Sequence, residues 1–179
     1  MDDVFKNIDN ILEAYGLKST NEAKNIIKYN TPYPAVDSGN LLNDLKIEIK
    51  RNNGEIEAQL VAPPYAKFVN YGVKGRLSSA KAPDSPFQFK KKLIPRGVID
   101  RWIVRKNIKG SRDAKGKFIS RWFLNLLIRK SINAKGLKAV NFIQPFYDNL
   151  EWMQRDLAKE IGDSMAEKIT ENLKNIDII

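Results

Sequence analysis

Apolar residues recur at helical spacing near the start of the chain. From Asp2 to Tyr15 they lie three or four residues apart, which predicts an amphipathic helix that ends at Gly16. A second helical segment is predicted from Thr20 to Tyr29. Both segments are expected to pack against the rest of the domain.

A much longer helix is predicted at the other end, from Phe146 to Ile176. Its apolar positions form a stripe on which Leu157 and Ile161 are expected to be buried. A helix of this length outruns a small sheet, so we expect part of the stripe to contact a neighbouring subunit. The candidates for that oligomer interface are Leu157, Ile161, Met165 and Ile169.

Apolar and polar residues alternate from Leu45 to Lys50 and again from Glu55 to Leu60, which predicts a β-hairpin with Asn53-Gly54 as its tight turn. After the hairpin, Tyr65 to Gly72 places three aromatic residues around a short helical turn or strand, for which packing is the favoured role. The predicted fold class is therefore α+β: a small antiparallel sheet packed against N-terminal helices and a long C-terminal helix.

The positive charge is concentrated in one block. Residues 74–138 carry nineteen Lys or Arg and three acids, about +16, while the remaining residues carry twelve bases and eighteen acids, about −6. Such a block repels itself unless an anionic partner neutralises it. Large apolar residues lie among the charges, so we expect the block to fold, with helices at Val98 to Lys106 and Phe118 to Ile132 anchored by Trp102 and Trp122.

Two domains follow from this division: an α+β body of residues 1–73 and 139–179, and an inserted basic arm of residues 74–138. Contact with DNA phosphates or with an acidic protein is expected from bases of the arm. A solvated turn is the alternative for the lysine run. The candidate bases are Lys90, Lys91, Lys92, Arg96, Arg112, Lys115, Lys117 and Arg121.

The absence of Cys and His weakens most enzyme classes, because it removes thiolate and imidazole nucleophiles, bases and metal ligands. The acidic residues do not cluster by spacing, so we expect no catalytic residue, no metal and no cofactor. No apolar run approaches the ~20 residues of a membrane span, and no basic signal peptide precedes the first helix. We therefore expect synthesis in the cytoplasm and no membrane partner.

Three motifs in order resemble a known family. Asp37-Ser38-Gly39-Asn40-Leu41-Leu42 precedes the hairpin, Tyr65-Ala66-Lys67-Phe68-Val69-Asn70-Tyr71-Gly72 follows it, and Phe142-Ile143-Gln144-Pro145-Phe146 opens the terminal helix. This order resembles the tail-component and tail-completion proteins of tailed bacteriophages, the gene-product-10-like family. The resemblance covers residues 37–73 and 141–174.

The resemblance implies a structural virion protein that is made in the host cytoplasm and forms a ring of six or twelve copies in the neck or tail. Such a ring joins the portal to the tail around the DNA channel, with portal, neck or tail proteins as partners. The basic arm departs from the family pattern and is similar to inserts in larger tailed phages, including crAss-like ones. The alternative function is a basic nucleic-acid-binding accessory protein.

Overall fold

The computed structural model describes residues 2–29, 37–52, 55–110, 112 and 114–174. These residues form helices and small antiparallel sheets, which confirms the predicted α+β class. The elements, in chain order, are α1 Asp2–Tyr29, α2 Asn40–Asp44, β1 Lys46–Asn52, β2 Glu55–Val61, α3 Ala66–Tyr71, β3 Val73–Lys74, α4 Arg96–Arg105, α5 Arg121–Lys135, β4 Gly136–Leu137, α6 Gln144–Asp148 and α7 Leu150–Lys174.

The chain divides into two compact units. Unit 1 comprises Met1–Ile26, Leu42–Ala62 and Phe142–Ile179, and unit 2 comprises Ile27–Leu41 and Pro63–Asn141. The predicted body and arm place the division elsewhere, at residues 74 and 138. Residues 63–73 cluster with unit 2 because β3 pairs with β4, and because the Val69 carbonyl accepts a 3.1 Å hydrogen bond from the Val140 backbone.

The first helix is longer than predicted. The predicted end at Gly16 is wrong, because α1 continues through this residue to Tyr29. A glycine inside a helix costs about 1 kcal/mol relative to alanine. Here it makes room for β1, since a Cβ at position 16 would lie only 3.2 Å from the Cβ of Ile47.

Within unit 1, α1 runs antiparallel to the C-terminal helices and is joined to them by polar contacts. The Tyr15 hydroxyl donates a 2.7 Å hydrogen bond to the carbonyl of Phe146, and the Asn7 amide donates to Glu160 at 2.7 Å. Further along α1, Glu22 and Ser19 accept hydrogen bonds from the buried Asn149 amide, at 2.7 Å and 3.3 Å. The apolar part of this core includes Leu12, Ala23, Leu45 and Phe142.

The hairpin prediction is confirmed. Strands β1 and β2 pair antiparallel from Lys46 opposite Val61 to Asn52 opposite Glu55, a register that leaves a two-residue connection. The turn residues Asn53 and Gly54 lie outside the described residues. Ile47 and Leu60 face each other in the ladder, and both are half-buried.

The terminal helix packs along only part of the predicted stripe. Leu157 is half-buried, but Ile161 is 45% exposed, so its predicted burial is wrong. One residue of an α-helix turns by about 100°, so apolar residues spaced by four drift about 40° around the helix at each step. The half-buried positions Met153, Leu157, Glu160 and Ser164 alternate steps of four and three and therefore stay on one side, with Trp152 and Asp156 half-buried next to them.

Candidate partner-binding surfaces

Charge is divided between the two units. By sequence, unit 2 contains twenty-one Lys and Arg and four Asp, a formal net charge of +17, while unit 1 contains ten bases and seventeen acids, or −7. The four acids of unit 2 cannot neutralise its twenty-one bases. Such an imbalance is typical of a surface that meets an anionic partner.

The lysine run lies in a segment that α5 holds in place. Residues 90–96, here called the basic strap, accept hydrogen bonds from side chains of α5 through alternate backbone carbonyls. The buried amide of Asn133 donates to Lys90 at 2.9 Å and to Lys92 at 3.3 Å. Arg129 Nε donates to the carbonyl of Ile94 at 2.5 Å.

Asn125 completes this row by donating to the carbonyl of Arg96 at 3.1 Å. We call Asn125, Arg129 and Asn133 the α5 ladder. Its members are four residues apart, about 6 Å along the helix axis, and so form one row on α5. Together the three side chains serve every second carbonyl from Lys90 to Arg96, with Asn133 serving two of them.

The ladder determines how the lysines are presented. The side chains of Lys90, Lys91 and Lys92 are exposed, while the backbone that carries them is bonded from below by buried groups. Buried amides that donate hydrogen bonds to a backbone restrict the motion of that backbone. A turn that is only solvated does not need such bonds. The strap is therefore a fixed row of positive charge.

Two of the predicted contact residues are partly neutralised within unit 2. Arg96 pairs with Asp100 at 3.3 Å, and Arg121 Nε lies 3.8 Å from the same carboxylate. Asn125 also donates to Asp100, at 2.9 Å. The Arg96–Asp100 pair lies within α4, four residues apart, whereas Arg121 joins α5 to α4 through this carboxylate and through the Asp100 carbonyl, to which it donates at 3.1 Å.

Arg112 has a local role as well. Its guanidinium donates to the carbonyl of Gly116 at 2.8 Å and lies 5.9 Å from the centre of the Phe118 ring. Arg112 and Phe118 also form an isolated β-bridge. The predicted contact residues Lys115 and Lys117 are exposed in this loop, apart in sequence from the strap.

An apolar groove lies beside this loop. It has a volume of about 310 Å³, and two of its lining residues are strongly exposed: Val104 at 59% and Phe118 at 63%. The Phe118 ring lies against Gly110, so closely that a Cβ at Gly110 would collide with it. The lining residues are Ile103, Val104, Asn107, Ile108, Gly110, Phe118, Ile119, Arg121 and Leu124.

The tryptophan prediction for the arm is wrong for Trp122. This residue is 54% exposed in the first turn of α5, whereas Trp102 is half-buried. The buried positions of α5 are Asn125 and Asn133, because the carbonyls of the strap supply the acceptors that their amides need. Sequence periodicity alone gave no signal of this polar packing.

A second uncovered apolar surface lies on α7 in unit 1. Met165 is 63% exposed and Ile169 is 60% exposed, on the same side of the helix as Ile161. Ala158 and Gly162 are exposed beside them, and a Cβ at Gly162 would meet no atom within 4 Å. We call these five residues, with no charged side chain among them, the α7 face.

Aromatic residues of the Tyr65 to Gly72 motif form a third surface, within unit 2. Tyr65, Phe68 and Tyr71 are 40–43% exposed, so the predicted packing role is wrong for these three side chains, and the buried residues of the motif include Ala66 and Asn70. Phe87 joins them, with its ring centre 4.6 Å from that of Phe68.

Among the described residues, no group of acids is gathered in the way that a metal site requires. Within the same ranges, no helix is both long and apolar enough to cross a bilayer. Comparison of the chain with family models, with characterised proteins and with solved structures gave no match.

Proposed function

We propose that this chain is a structural virion protein that forms a ring in the neck or tail of a tailed bacteriophage. The ring joins the portal to the tail around the DNA channel, and its subunits are made in the host cytoplasm. The exposed α7 face carries this proposal, because contiguous exposed apolar surface on a soluble domain is typical of a protein interface.

The three motifs that resemble the tail-component family lie where backbone conformation or packing restricts the residue type, which supports the proposal. Gly39 (φ +84°) directly precedes α2, and Gly72 (φ +67°) ends α3. Pro145 lies in the first turn of α6, and Phe142 and Phe146 on either side of it are buried. Each motif therefore has a structural reason for its residue types.

The charge of unit 2 suits a subunit that lines or approaches a DNA channel or contacts an acidic ring of the portal or tail. Because the backbone of the strap is already held, contact with an anionic surface orders only the lysine side chains and not the backbone as well. In this proposal the basic strap of unit 2 supplies the contact with another layer or with DNA, and the α7 face of unit 1 takes part in contacts between copies. No catalytic step is part of the proposal.

The basic strap also favours a second candidate, a nucleic-acid-binding accessory protein that acts alone. A free binder of this kind neutralises phosphates and releases counterions, so its affinity falls steeply with salt. It does not need an uncovered apolar helix face. The two candidates therefore differ in their prediction for the oligomeric state.

The test is the mass and shape of the purified full-length protein, measured by light scattering and by electron microscopy of single particles. We expect closed rings of six or twelve copies, alone or after addition of the portal of the parent phage. A protein that stays monomeric in both cases and binds random-sequence duplex with a steep salt dependence would overturn the ring in favour of the accessory protein.

A further inference from the structure

We infer that neighbouring copies associate head-to-tail, with the α7 face of one copy seated in the apolar groove of unit 2 of the next copy. This inference rests on the proposed ring function and names the contact that would build it. It follows from two uncovered apolar surfaces on two differently charged units of the same chain.

The groove has the properties of a preformed site. Phe118 is held by the packing of Gly110, by the guanidinium of Arg112 and by the backbone bridge to residue 112, yet most of its ring is exposed to solvent. An apolar side chain that is fixed but uncovered loses little conformational freedom when a partner covers it. Val104 provides a second exposed apolar side chain in the groove.

The α7 face has a shape that can dock in such a groove. Ile161, Met165 and Ile169 are spaced by four residues and form a ridge about 12 Å long. Helices that dock in hydrophobic grooves present anchors at this kind of spacing. Ala158 and Gly162 beside the ridge leave room for close approach, because neither extends a long side chain.

Charge selects a second copy, in head-to-tail orientation, as the occupant. Contact between two copies of unit 2 would oppose +17 with +17, whereas unit 1 offers −7 to the unit 2 of a neighbour. Pairing of two α7 faces would leave the groove uncovered. A head-to-tail contact covers both apolar surfaces at once and brings opposite charges together.

Head-to-tail contacts also have the symmetry that a ring needs. Each copy uses its α7 face on one neighbour and its groove on the other, so the contact repeats from copy to copy. The assembly closes if the rotation between neighbours divides a full turn. A contact of the α7 face with itself would stop at two copies.

The absence of cysteine allows a direct test by crosslinking single-cysteine variants of the full chain. One variant carries Met165→Cys and the other, with a size tag, carries Val104→Cys; both positions are exposed, so the fold should persist. A short bis-maleimide reagent is added to the mixture. We expect a covalent dimer that contains one chain of each kind.

The matched control is Glu167→Cys, which is also exposed on α7 but lies about 200° around the helix from Met165. It should give at most a few per cent of the mixed dimer. Equal crosslinking of the control, dimers of the Met165→Cys chain with itself alone, or no mixed dimer would each overturn the head-to-tail contact.

Failure of this contact can be distinguished from failure of the ring. Rings that still form without the mixed crosslink would overturn the α7–groove contact and leave the proposed function in place. A chain that forms no assembly with itself or with the portal would overturn both.

Discussion

The buried amide of Asn133 donates a 2.9 Å hydrogen bond to the backbone carbonyl of Lys90, forty-three residues earlier in the chain. This bond, with its partners on α5, fixes the backbone beneath a row of exposed lysines. The cationic surface of unit 2 is thus built on buried polar groups, and its shape depends on their hydrogen bonds.

Replacement Asn133→Leu should destabilise the protein by about 1–3 kcal/mol, because two partly buried carbonyls lose their donor. Denaturant unfolding measures this loss. The strap should also become loose, so trypsin should cleave after Lys90, Lys91 or Lys92 sooner than in the original protein. Ser131→Ala, at an exposed position of the same helix, is the control, and equal cleavage of both variants would contradict the role of the ladder.

Reversal of the three strap lysines to Glu should leave the subunit folded and weaken its joining to the phage particle. The lysines are exposed, so folding does not depend on their charge. The control reverses Lys109, Lys135 and Lys138, which are exposed in unit 2 and give the same change in net charge. Incorporation into particles is the measurement. An equal effect of both triple variants would show that only total charge matters.

Two substitutions on α7 should separate folding from assembly. Leu157→Asp places a charge on the packed side and should lower the melting temperature substantially. Met165→Asp, on the exposed side, should change stability by no more than about 0.5 kcal/mol and abolish the assembly. Thermal unfolding and light scattering provide the two readouts, and an intact ring in the Met165→Asp variant would remove the α7 face from the interface.

Two glycines with positive φ should respond differently to alanine. Gly72 (φ +67°) lies so close to its surroundings that a Cβ would come within 2.6 Å of backbone atoms of Leu137 and Ala139. Gly39 (φ +84°) has no atom within 4 Å of that position. Gly39→Ala should cost about 1–2 kcal/mol for its conformation alone, and Gly72→Ala should cost clearly more. Similar unfolding free energies for the two variants would contradict the crowding at Gly72.

The Tyr15 hydroxyl should give the protein a pH dependence at alkaline pH. Burial raises the pKa of Tyr15 above its ordinary value of 10.0, because the neutral phenol is favoured in the core. The unfolded chain therefore loses this proton first as pH rises, and stability that is complete below pH 10 declines above it. Tyr15→Phe should remove this part of the decline and cost about 0.5–1.5 kcal/mol at neutral pH, since the bond to Phe146 is lost.

Part of this molecule follows directly from local sequence pattern. The alternation from Leu45 to Leu60 specifies a hairpin, because side chains of a strand point to opposite faces in turn. Helical spacing specifies the last long helix, and the clustering of Lys and Arg specifies where the cationic unit lies. These features depend on residues that are near one another in the chain, so the sequence determines them by itself.

The packed faces depend instead on distant partners. Helix α1 continues through Gly16, where the glycine lets β1 approach closely: a Cβ there would lie 3.2 Å from the Cβ of Ile47. Asn125 and Asn133 are buried on α5 while Trp122 is exposed, because carbonyls about thirty to forty residues earlier receive the amide hydrogens. Periodicity shows which residues share a side of a helix, but only the tertiary structure decides which side is packed. On α7 the tertiary structure leaves Ile161, Met165 and Ile169 exposed.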